Sequence, residues 1–341
     1  MKTAVSTLKS GDWVEVKSPD EIAHTLDQNG TFDGLPFMPE MLPLCGQRFQ
    51  VSRRVEKSCV ECDGGEYKIR EFVRNDVVLL EGLRCSGSDH GGCQRGCLVF
   101  WRAAWLRKVE DNHPTTTAAS NLTGREELRS RLKTMSAPDL YFCQSTEMQK
   151  ITQPQTRMGI LLKCFYDVRS GSRRPLEMLR LILGPIWRKI FPRALVGSLT
   201  KTPVGRLELK PGEIVELKSP QQIAETLDAK GRNRGLLLDY NAVCKFGGGR
   251  YRVRTRIDRM INEATGKMCK LDNTVILDEV SCTCHSVVGG CPRQDPVFWR
   301  EIWLKRVTTA TTDTGNPLPE TQAAQIRPGD KPALPAPHFT V

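Results

Sequence analysis

Residues 8–34 read LKSGDWVEVKSPDEIAHTLDQNGTFDG, and residues 209–235 read LKPGEIVELKSPQQIAETLDAKGRNRG. The two stretches align without a gap at a constant offset of 201 residues (209 − 8 = 201), and they agree at more than half of their positions. Similarity of this extent within one chain indicates an internal duplication. One structural unit is therefore expected twice.

The similarity resumes further along both copies. GQRFQV at 46–51 matches GGRYRV at 248–253, and FWRAAWLRKV at 100–109 matches FWREIWLKRV at 298–307. A solenoid needs at least three stacked repeats to bury its core, so two copies indicate two folded modules instead.

Each copy begins with a short alternating strand, and a Ser-Pro pair follows it. Serine caps free backbone N–H groups and proline suits the first helical position, so Ser-Pro predicts a helix start. We predict short helices over 20–26 and 221–227, followed in each copy by short strands. Short strands after a Lys-x-Gly turn are typical of small curled sheets. The predicted fold class is α+β, with two tandem β-rich modules of the SH3-like barrel type and a helical insert between them.

Composition divides the chain into four predicted parts. These are a first β-rich module with a cysteine cluster, a linker with a basic helical insert, a second β-rich module, and a disordered tail rich in proline and threonine. Their predicted bounds are 1–110, 111–205, 206–308 and 309–341.

Positive charge is concentrated in the insert. The formal net charge is +11, and residues 148–210 hold 13 Lys/Arg against 3 Asp/Glu, which is 13 − 3 = +10. The two modules are close to neutral by comparison. A negatively charged partner would therefore be expected to bind residues 148–210.

The segment 175–191 (PLEMLRLILGPIWRKIF) carries apolar residues at helical spacing, with basic residues beside them. An ordinary amphipathic helix packed on the modules is one interpretation. The others are a helix lying on an anionic membrane surface and a surface that binds nucleic acid or an acidic protein. The candidate binding residues here are Arg180, Trp187, Arg188 and Lys189.

Cysteines are clustered in the first copy. The chain has 13 cysteines, an odd number, and no secretory signal is apparent, so reduced thiols are expected. Zinc takes four thiolate or imidazole ligands, often from two short loops. The candidate metal ligands of the first copy are Cys59, Cys62, Cys85, His90, Cys93 and Cys97.

The second copy has a different set of candidate ligands, namely Cys282, Cys284, His285 and Cys291. Asp295 stands where the first copy has Cys97, so any metal site there would use other ligands. Zinc is the expected metal, and an iron–sulfur or redox site is a less favoured alternative. The cysteines could also be ordinary buried small hydrophobes.

Two tryptophans lie four residues apart in the closing segment of each copy. They are Trp101, Trp105, Trp299 and Trp303. Packing in the core is the first interpretation. The alternative is an exposed aromatic binding surface on which a ligand or a base could stack.

The sequence shows no recognised catalytic motif. We find no G-x-S-x-G, no G-x-x-x-x-G-K-[ST] and no H-E-x-x-H, and with 5 histidines an acid–base mechanism has little material. No apolar run has the length of a membrane span. A cytoplasmic location is expected, with peripheral membrane attachment as a further possibility.

Three stretches resemble a group of uncharacterised bacterial proteins. They are RCSGSDHGGCQRGCLVFWRAAWL at 84–106, YFCQSTEM at 141–148 and FWREIWLKRV at 298–307. Members of the group share a cysteine-bearing segment that ends in FWR-x-x-WL and is followed by C-Q-[AS]-T-E. The resemblance covers most of residues 40–310. It implies no activity and no catalytic residue.

These observations predict a non-enzymatic binding or scaffold protein with a structural metal site in the first module, and a protein as its partner. The first alternative is a cysteine-dependent redox or metal enzyme. The second is a nucleic-acid-binding protein that uses the basic insert, and contact of residues 148–210 with an anionic membrane is also possible.

Overall fold

The computed structural model describes residues 8–62, 66–110, 122–155, 195–282 and 293–307, with a few isolated positions between 165 and 183. At Cys62, Glu66 and Leu122 it describes the backbone alone. We call residues 8–110 the first half, 122–155 the middle segment and 206–307 the second half.

The first half is built on a five-stranded antiparallel sheet that curls into a half-barrel, with strand order β8-β7-β4-β1-β9. Its strands are β1 (Trp13–Val16), β4 (Arg48–Arg54), β7 (Val77–Arg84), β8 (Leu98–Arg102) and β9 (Leu106–Val109).

The second half repeats this sheet, with strand order β20-β19-β16-β13-β21. Its strands are β13 (Ile214–Leu217), β16 (Arg250–Arg256), β19 (Thr274–Ser281), β20 (Pro296–Arg300) and β21 (Leu304–Arg306). The two sheets have the same order of equivalent strands, which confirms the tandem β-rich modules expected from the duplication.

The Ser-Pro pairs form the predicted helix starts. Ser18 accepts a hydrogen bond from the backbone N–H of Glu21, whose side chain reaches back to Ser18, so α1 (Pro19–Ala23) begins with a capping box. Its counterpart α4 (Pro220–Ala224) begins in the same way at Ser219. Both helices are shorter than predicted. In each copy a threonine hydroxyl bonds back to the carbonyl of the last helical turn, as Thr25 does to Ile22.

Smaller elements complete the fold. A three-stranded sheet joins the middle segment to the first half in the order β12-β6-β5, and three hairpins pair β2 with β3, β10 with β11, and β17 with β18. A further pair, β14 with β15, lies in the second half.

The bounds of the small strands are β2 (Thr31–Phe32), β3 (Leu35–Pro36), β5 (Lys57–Cys62), β6 (Glu66–Phe72), β10 (Met135–Ala137), β11 (Leu140–Tyr141), β12 (Thr152–Pro154), β14 (Arg232–Asn233), β15 (Leu236–Leu237), β17 (Arg259–Ile261) and β18 (Met268–Lys270). The remaining α-helices are α2 (Leu122–Arg131), α3 (Met148–Ile151) and α5 (Tyr240–Phe246), and 3-10 turns cover Pro39–Leu44, Ala103–Trp105 and Glu301–Trp303.

Each half has its own apolar core. The first core also includes residues of the middle segment, among them Leu128, Met148 and Ile151. The second core is built within residues 209–304. Both halves nevertheless belong to one compact unit that ends at Val307. Among the described helices, none is both long and apolar enough to cross a membrane.

Candidate functional site

A small cavity lies between the first half and the middle segment. We call residues 85–97, which connect β7 to β8, the cysteine loop. The cavity measures about 30 Å³, and the thiols of Cys85, Cys93, Cys97 and Cys143 line it. The backbone N–H of Cys85 donates to the carbonyl of Cys97 at 2.8 Å, which holds the two ends of the loop together. Three of the predicted ligands thus meet a cysteine of the middle segment.

Three thiols of this cavity lie in surroundings that disfavour the thiolate form. Burial raises the pKa of Cys85, of Cys97 (to about 12) and of Cys143, and each of the three thiols lies close enough to another cavity cysteine for their charges to interact. Thiols of redox and nucleophilic enzymes have lowered pKa values and are exposed to their substrate. The environment of these sulfurs therefore favours a structural role over the enzyme alternative.

His90 braces the cysteine loop against two neighbours. Its Nδ1 lies 2.6 Å from a carboxylate oxygen of Glu40, and its Nε2 lies 3.0 Å from the carbonyl oxygen of Phe142. Both partners are acceptors, so both ring nitrogens donate and the ring is an imidazolium. Burial lowers the pKa of His90, but the bond to Glu40 outweighs it and raises the pKa above its usual value. His90 therefore positions Phe142 and, with it, Cys143.

The C-Q-S-T-E element (residues 143–147) packs into the first half and forms hydrogen bonds with its backbone. The side-chain amide of Gln144 bonds to the backbone of Phe100 as a neighbouring strand would. Its Nε2 donates to the carbonyls of Phe100 and Pro36 at 2.9 and 3.0 Å, and its Oε1 accepts from the N–H of Phe100 at 2.8 Å. Thr146 closes a tight turn with Cys143 through its hydroxyl. In this motif, which carries part of the resemblance, Gln144 and Thr146 are thus engaged in hydrogen bonds within the protein.

A buried charge cluster joins the two halves next to the cavity. Glu263 of the second half accepts from Arg95 of the cysteine loop at 3.0 Å, from Arg293 at 2.8 Å and from the hydroxyl of Ser145 at 3.0 Å. Asp295 lies 3.1 Å from Arg293 and balances the second positive charge. Each ion of this cluster is paired, as burial of charge requires.

The cysteine loop also pairs directly with hairpin β17–β18 of the second half. The side-chain oxygen of Gln94 accepts from the N–H groups of Asp258 and Arg259, and Gln94 N–H donates to the Arg259 carbonyl at 3.1 Å. The backbone N–H of Ile261 donates to the sulfur of Cys93 at 3.3 Å. The loop is thus held on both sides.

Among the remaining predicted metal ligands, Cys59 and Cys282 do not line this cavity, and the side chain of Cys62 is not described. Cys59 and Cys62 are on β5, and Cys282 follows β19. Cys284, His285 and Cys291 lie outside the described residues. Within the described parts of the chain, no three His, Cys, Asp or Glu side chains already stand together in an arrangement that could hold a metal ion.

The four tryptophans belong to the core. Trp101, Trp105, Trp299 and Trp303 are fully buried, so the alternative of an exposed aromatic binding surface is wrong. Trp105 and Trp303 each donate Nε1–H to a threonine hydroxyl at 3.0 Å, Thr25 in the first half and Thr226 in the second. The FWR-x-x-WL stretch therefore closes each half-barrel, and its large side chains fill the space inside the curled sheet.

The candidate residues of the basic insert, Arg180, Trp187, Arg188 and Lys189, lie outside the described residues. Three apolar members of the same predicted stripe are described, and all three are exposed: Leu176, Leu179 and Leu183. The interpretations of the insert stay predictions.

An open groove of about 590 Å³ lies on the other side of the middle segment. One wall is the turn after α1, which includes Asp27 and Asn29. The other belongs to the middle segment and includes residues 133–136, Glu147 and Lys150. Clefts of 300–1,000 Å³ are the usual size of ligand sites. Sequence reasoning did not find this groove, because its two walls are about 100 residues apart in the chain.

Cys143 and Glu263 are among the residues of the site that sequence reasoning missed. Cys143 carried one available signal, since it opens the C-Q-S-T-E element that supports the resemblance. Glu263 carried none, because it is a single acidic residue in an ordinary hairpin. No family model, no curated protein and no solved structure matches this chain.

Proposed function

We propose that the protein is a non-enzymatic binding or scaffold protein, and that its ligand is an extended segment of a partner protein bound in the groove beside β10. The observation that carries the proposal is the position of β10 at the wall of this groove. All three residues of β10 are exposed, and within the described chain the strand pairs only with β11.

An exposed strand edge beside a groove suits one mode of recognition. A peptide in extended conformation pairs its backbone with the edge, and its alternate side chains enter the neighbouring groove. Met135 and Ser136 of β10 line the groove directly. Backbone pairing gives affinity, and the groove side chains give selectivity.

The groove walls are held in place before any ligand arrives. The carboxylate of Asp27 accepts from the N–H groups of Asn29 and Thr31 at 2.8 and 2.9 Å, which fixes the turn after α1. Lys150 donates to Glu147 at 2.7 Å. A preorganised surface loses less conformational entropy when it binds.

The contacts of the cysteine cavity support this proposal against an enzyme. Burial raises the pKa of the thiols of Cys85, Cys97 and Cys143, and both ring nitrogens of His90 beside them are occupied. The proposal of nucleic-acid binding depends on the basic insert, and its test is a separate one: binding that falls steeply as salt rises.

The experiment is selection of short random peptides displayed on phage, with the purified full chain as bait. Selected peptides are then titrated against wild type, Ser136→Pro and Lys150→Glu. Ser136→Pro disturbs the edge of β10, and we expect binding to weaken about tenfold, which corresponds to one or two backbone hydrogen bonds.

Lys230→Glu is the matched control. Lys230 is the repeat counterpart of groove residue Asn29 (29 + 201 = 230), is exposed, and lies away from the groove walls. Unchanged affinity is expected in this variant, and thermal unfolding of every variant checks that it remains folded. Peptides that bind wild type and Ser136→Pro equally well would refute the groove as the site, and saturable turnover of a small substrate would refute the non-enzymatic function.

A further inference from the structure

Four cysteine sulfurs from three places in the chain surround one small cavity. Cys85 follows β7, Cys93 and Cys97 belong to the rest of the cysteine loop, and Cys143 comes from the middle segment. The cavity volume of about 30 Å³ is far below the roughly 300–1,000 Å³ of sites that take organic ligands. The cavity is therefore too small for an organic substrate and suits a single ion.

Backbone N–H groups lie against three of the four sulfurs. Ile261 N–H donates to Cys93 Sγ at 3.3 Å. Gly87 N–H acts in the same way on Cys85, and the N–H groups of Ser145 and Thr146 act on Cys143. Donors aimed at sulfur stabilise a thiolate. Such donors are common neighbours of thiolates that ligate a metal, because they disperse the negative charge of the ligand set.

Positive charge lies beside the fourth sulfur. The side chains of Arg95 and Arg293 line the cavity together with Cys97. A metal ion with four thiolates carries two net negative charges, so neighbouring arginines stabilise it further. The positive charge that such a site requires is therefore already in place.

The other nearby candidates are excluded as ligands. Both nitrogens of His90 donate to oxygen acceptors, so neither has a lone pair for a metal. Cys59 lies on β5 and does not line the cavity, and the side chain of Cys62 on the same strand is not described. Four thiols remain, which is the complement of a closed tetrahedral zinc site.

We propose that Cys85, Cys93, Cys97 and Cys143 bind one zinc ion as four thiolates. The thiols do not stand in ligating positions as they are, so binding draws them together across the cavity, and each sulfur loses its proton to solvent. The site closes the cysteine loop and fastens the middle segment to the first half. It goes beyond the proposed binding function, and the groove could fail as a peptide site without affecting it.

The first test needs no substitution. The purified full chain is analysed for zinc and then alkylated in the folded state, with and without a chelator, and the modified cysteines are mapped by mass spectrometry. We expect about one zinc per chain, and we expect the four cavity cysteines to react only after the zinc is removed. Cys244, which is exposed, should react in both samples.

Replacement of zinc by cobalt gives an absorbance spectrum that reports independently on the ligands and their geometry. Tetrahedral cobalt with four thiolates absorbs in the visible range and shows strong sulfur-to-metal charge transfer. A spectrum of octahedral cobalt, which is pale and lacks charge transfer, would contradict the proposal. Iron with visible bands in the protein as purified would replace zinc with an iron–sulfur site.

Substitutions then separate this ligand set from the one that sequence spacing suggests. Cys143→Ser should reduce zinc from about one ion per chain to almost none, whereas Cys59→Ser and Cys244→Ser should retain it. Loss of zinc in Cys59→Ser but not in Cys143→Ser would overturn the assignment. So would a disulfide between two of the four cavity cysteines in the purified protein, or a chain without metal whose four thiols react regardless of chelator.

Discussion

At the scale of single residues, the two copies differ most clearly at one position of the FWR-x-x-WL stretch. The first copy has Ala103 there, and the second has Glu301, which is fully buried. The carboxylate of Glu301 accepts from three backbone N–H groups, those of Leu207 at 2.7 Å and of Glu208 and Leu209 at 3.0 Å. Arg256 pairs with it at 2.5 Å. Glu301 thereby fixes the chain that enters the second half.

We predict that Glu301→Gln destabilises the second half by about 3 kcal/mol at neutral pH, because the amide cannot satisfy three backbone donors and a guanidinium. Burial raises the pKa of Glu301, but the backbone donors and Arg256 outweigh it and hold the pKa below its usual 4.5. The stabilisation is therefore complete above pH 4.5 and is lost as pH falls through the lower folded-state value.

Urea unfolding of wild type and variant at several pH values checks this prediction. The difference in unfolding free energy should stay constant between neutral pH and about pH 5 and shrink below it. The exposed Glu208 offers a control, and Glu208→Gln should change stability little. A gap between wild type and Glu301→Gln that grows as pH falls would show that the carboxylate is not stabilised as described.

At the scale of elements, the cysteine loop depends on a residue without a side chain. Gly87 has a φ of +69°, and a Cβ placed there would overlap the carbonyl oxygen of Cys93. Gly46 has a similar φ of +78°, but nothing lies within 4 Å of the corresponding Cβ position. Both substitutions to alanine strain the backbone, and Gly87→Ala also collides with the loop itself.

We therefore predict that Gly46→Ala costs about 1 kcal/mol and that Gly87→Ala costs clearly more and exposes the cavity thiols. Thermal unfolding gives the stability, and the rate of alkylation of the cavity cysteines reports on the loop. Equal effects of the two substitutions on both measurements would mean that the close approach of Gly87 to Cys93 is not maintained in solution.

The elements also show how much local sequence can predict. The Ser-Pro helix starts, the strand that precedes each of them and the closing strands were all predicted and are confirmed, because capping and alternation act within a few residues. Local sequence is a weaker guide in the middle segment, where α2 ends at Arg131. The C-Q-S-T-E element there is not helical, because Gln144 pairs with β8 instead.

At the scale of the whole molecule, the charge cluster around Glu263 couples the two halves. Glu263 is buried with Arg95 and Arg293, and its carboxylate also accepts from the backbone N–H of Glu61 at 3.2 Å. Removing one partner of a buried ion pair leaves an uncompensated charge and usually costs 3–5 kcal/mol.

We predict that Glu263→Gln destabilises the protein by about 4 kcal/mol and splits its unfolding into two steps, because two buried arginines would then keep only Asp295 and the more distant Glu61, which lies 3.9 Å from Arg95. Differential scanning calorimetry measures both effects. Glu279→Gln, an exposed substitution in the same half, is the control and should leave a single transition. A single transition with unchanged midpoint in Glu263→Gln would show that the halves are not coupled through this cluster.

The sequence by itself determined the duplication, the order of local elements and the residue types that could hold a metal. Equivalent stretches fold alike because the same local interactions are available to both. The tertiary structure decided that Cys143 meets the cysteine loop, that Glu263 joins the halves, and that the tryptophans are core. These outcomes depend on segments far apart in the chain, such as Cys93 and Ile261, and their contact is set by how the whole chain packs its apolar surface rather than by any local pattern.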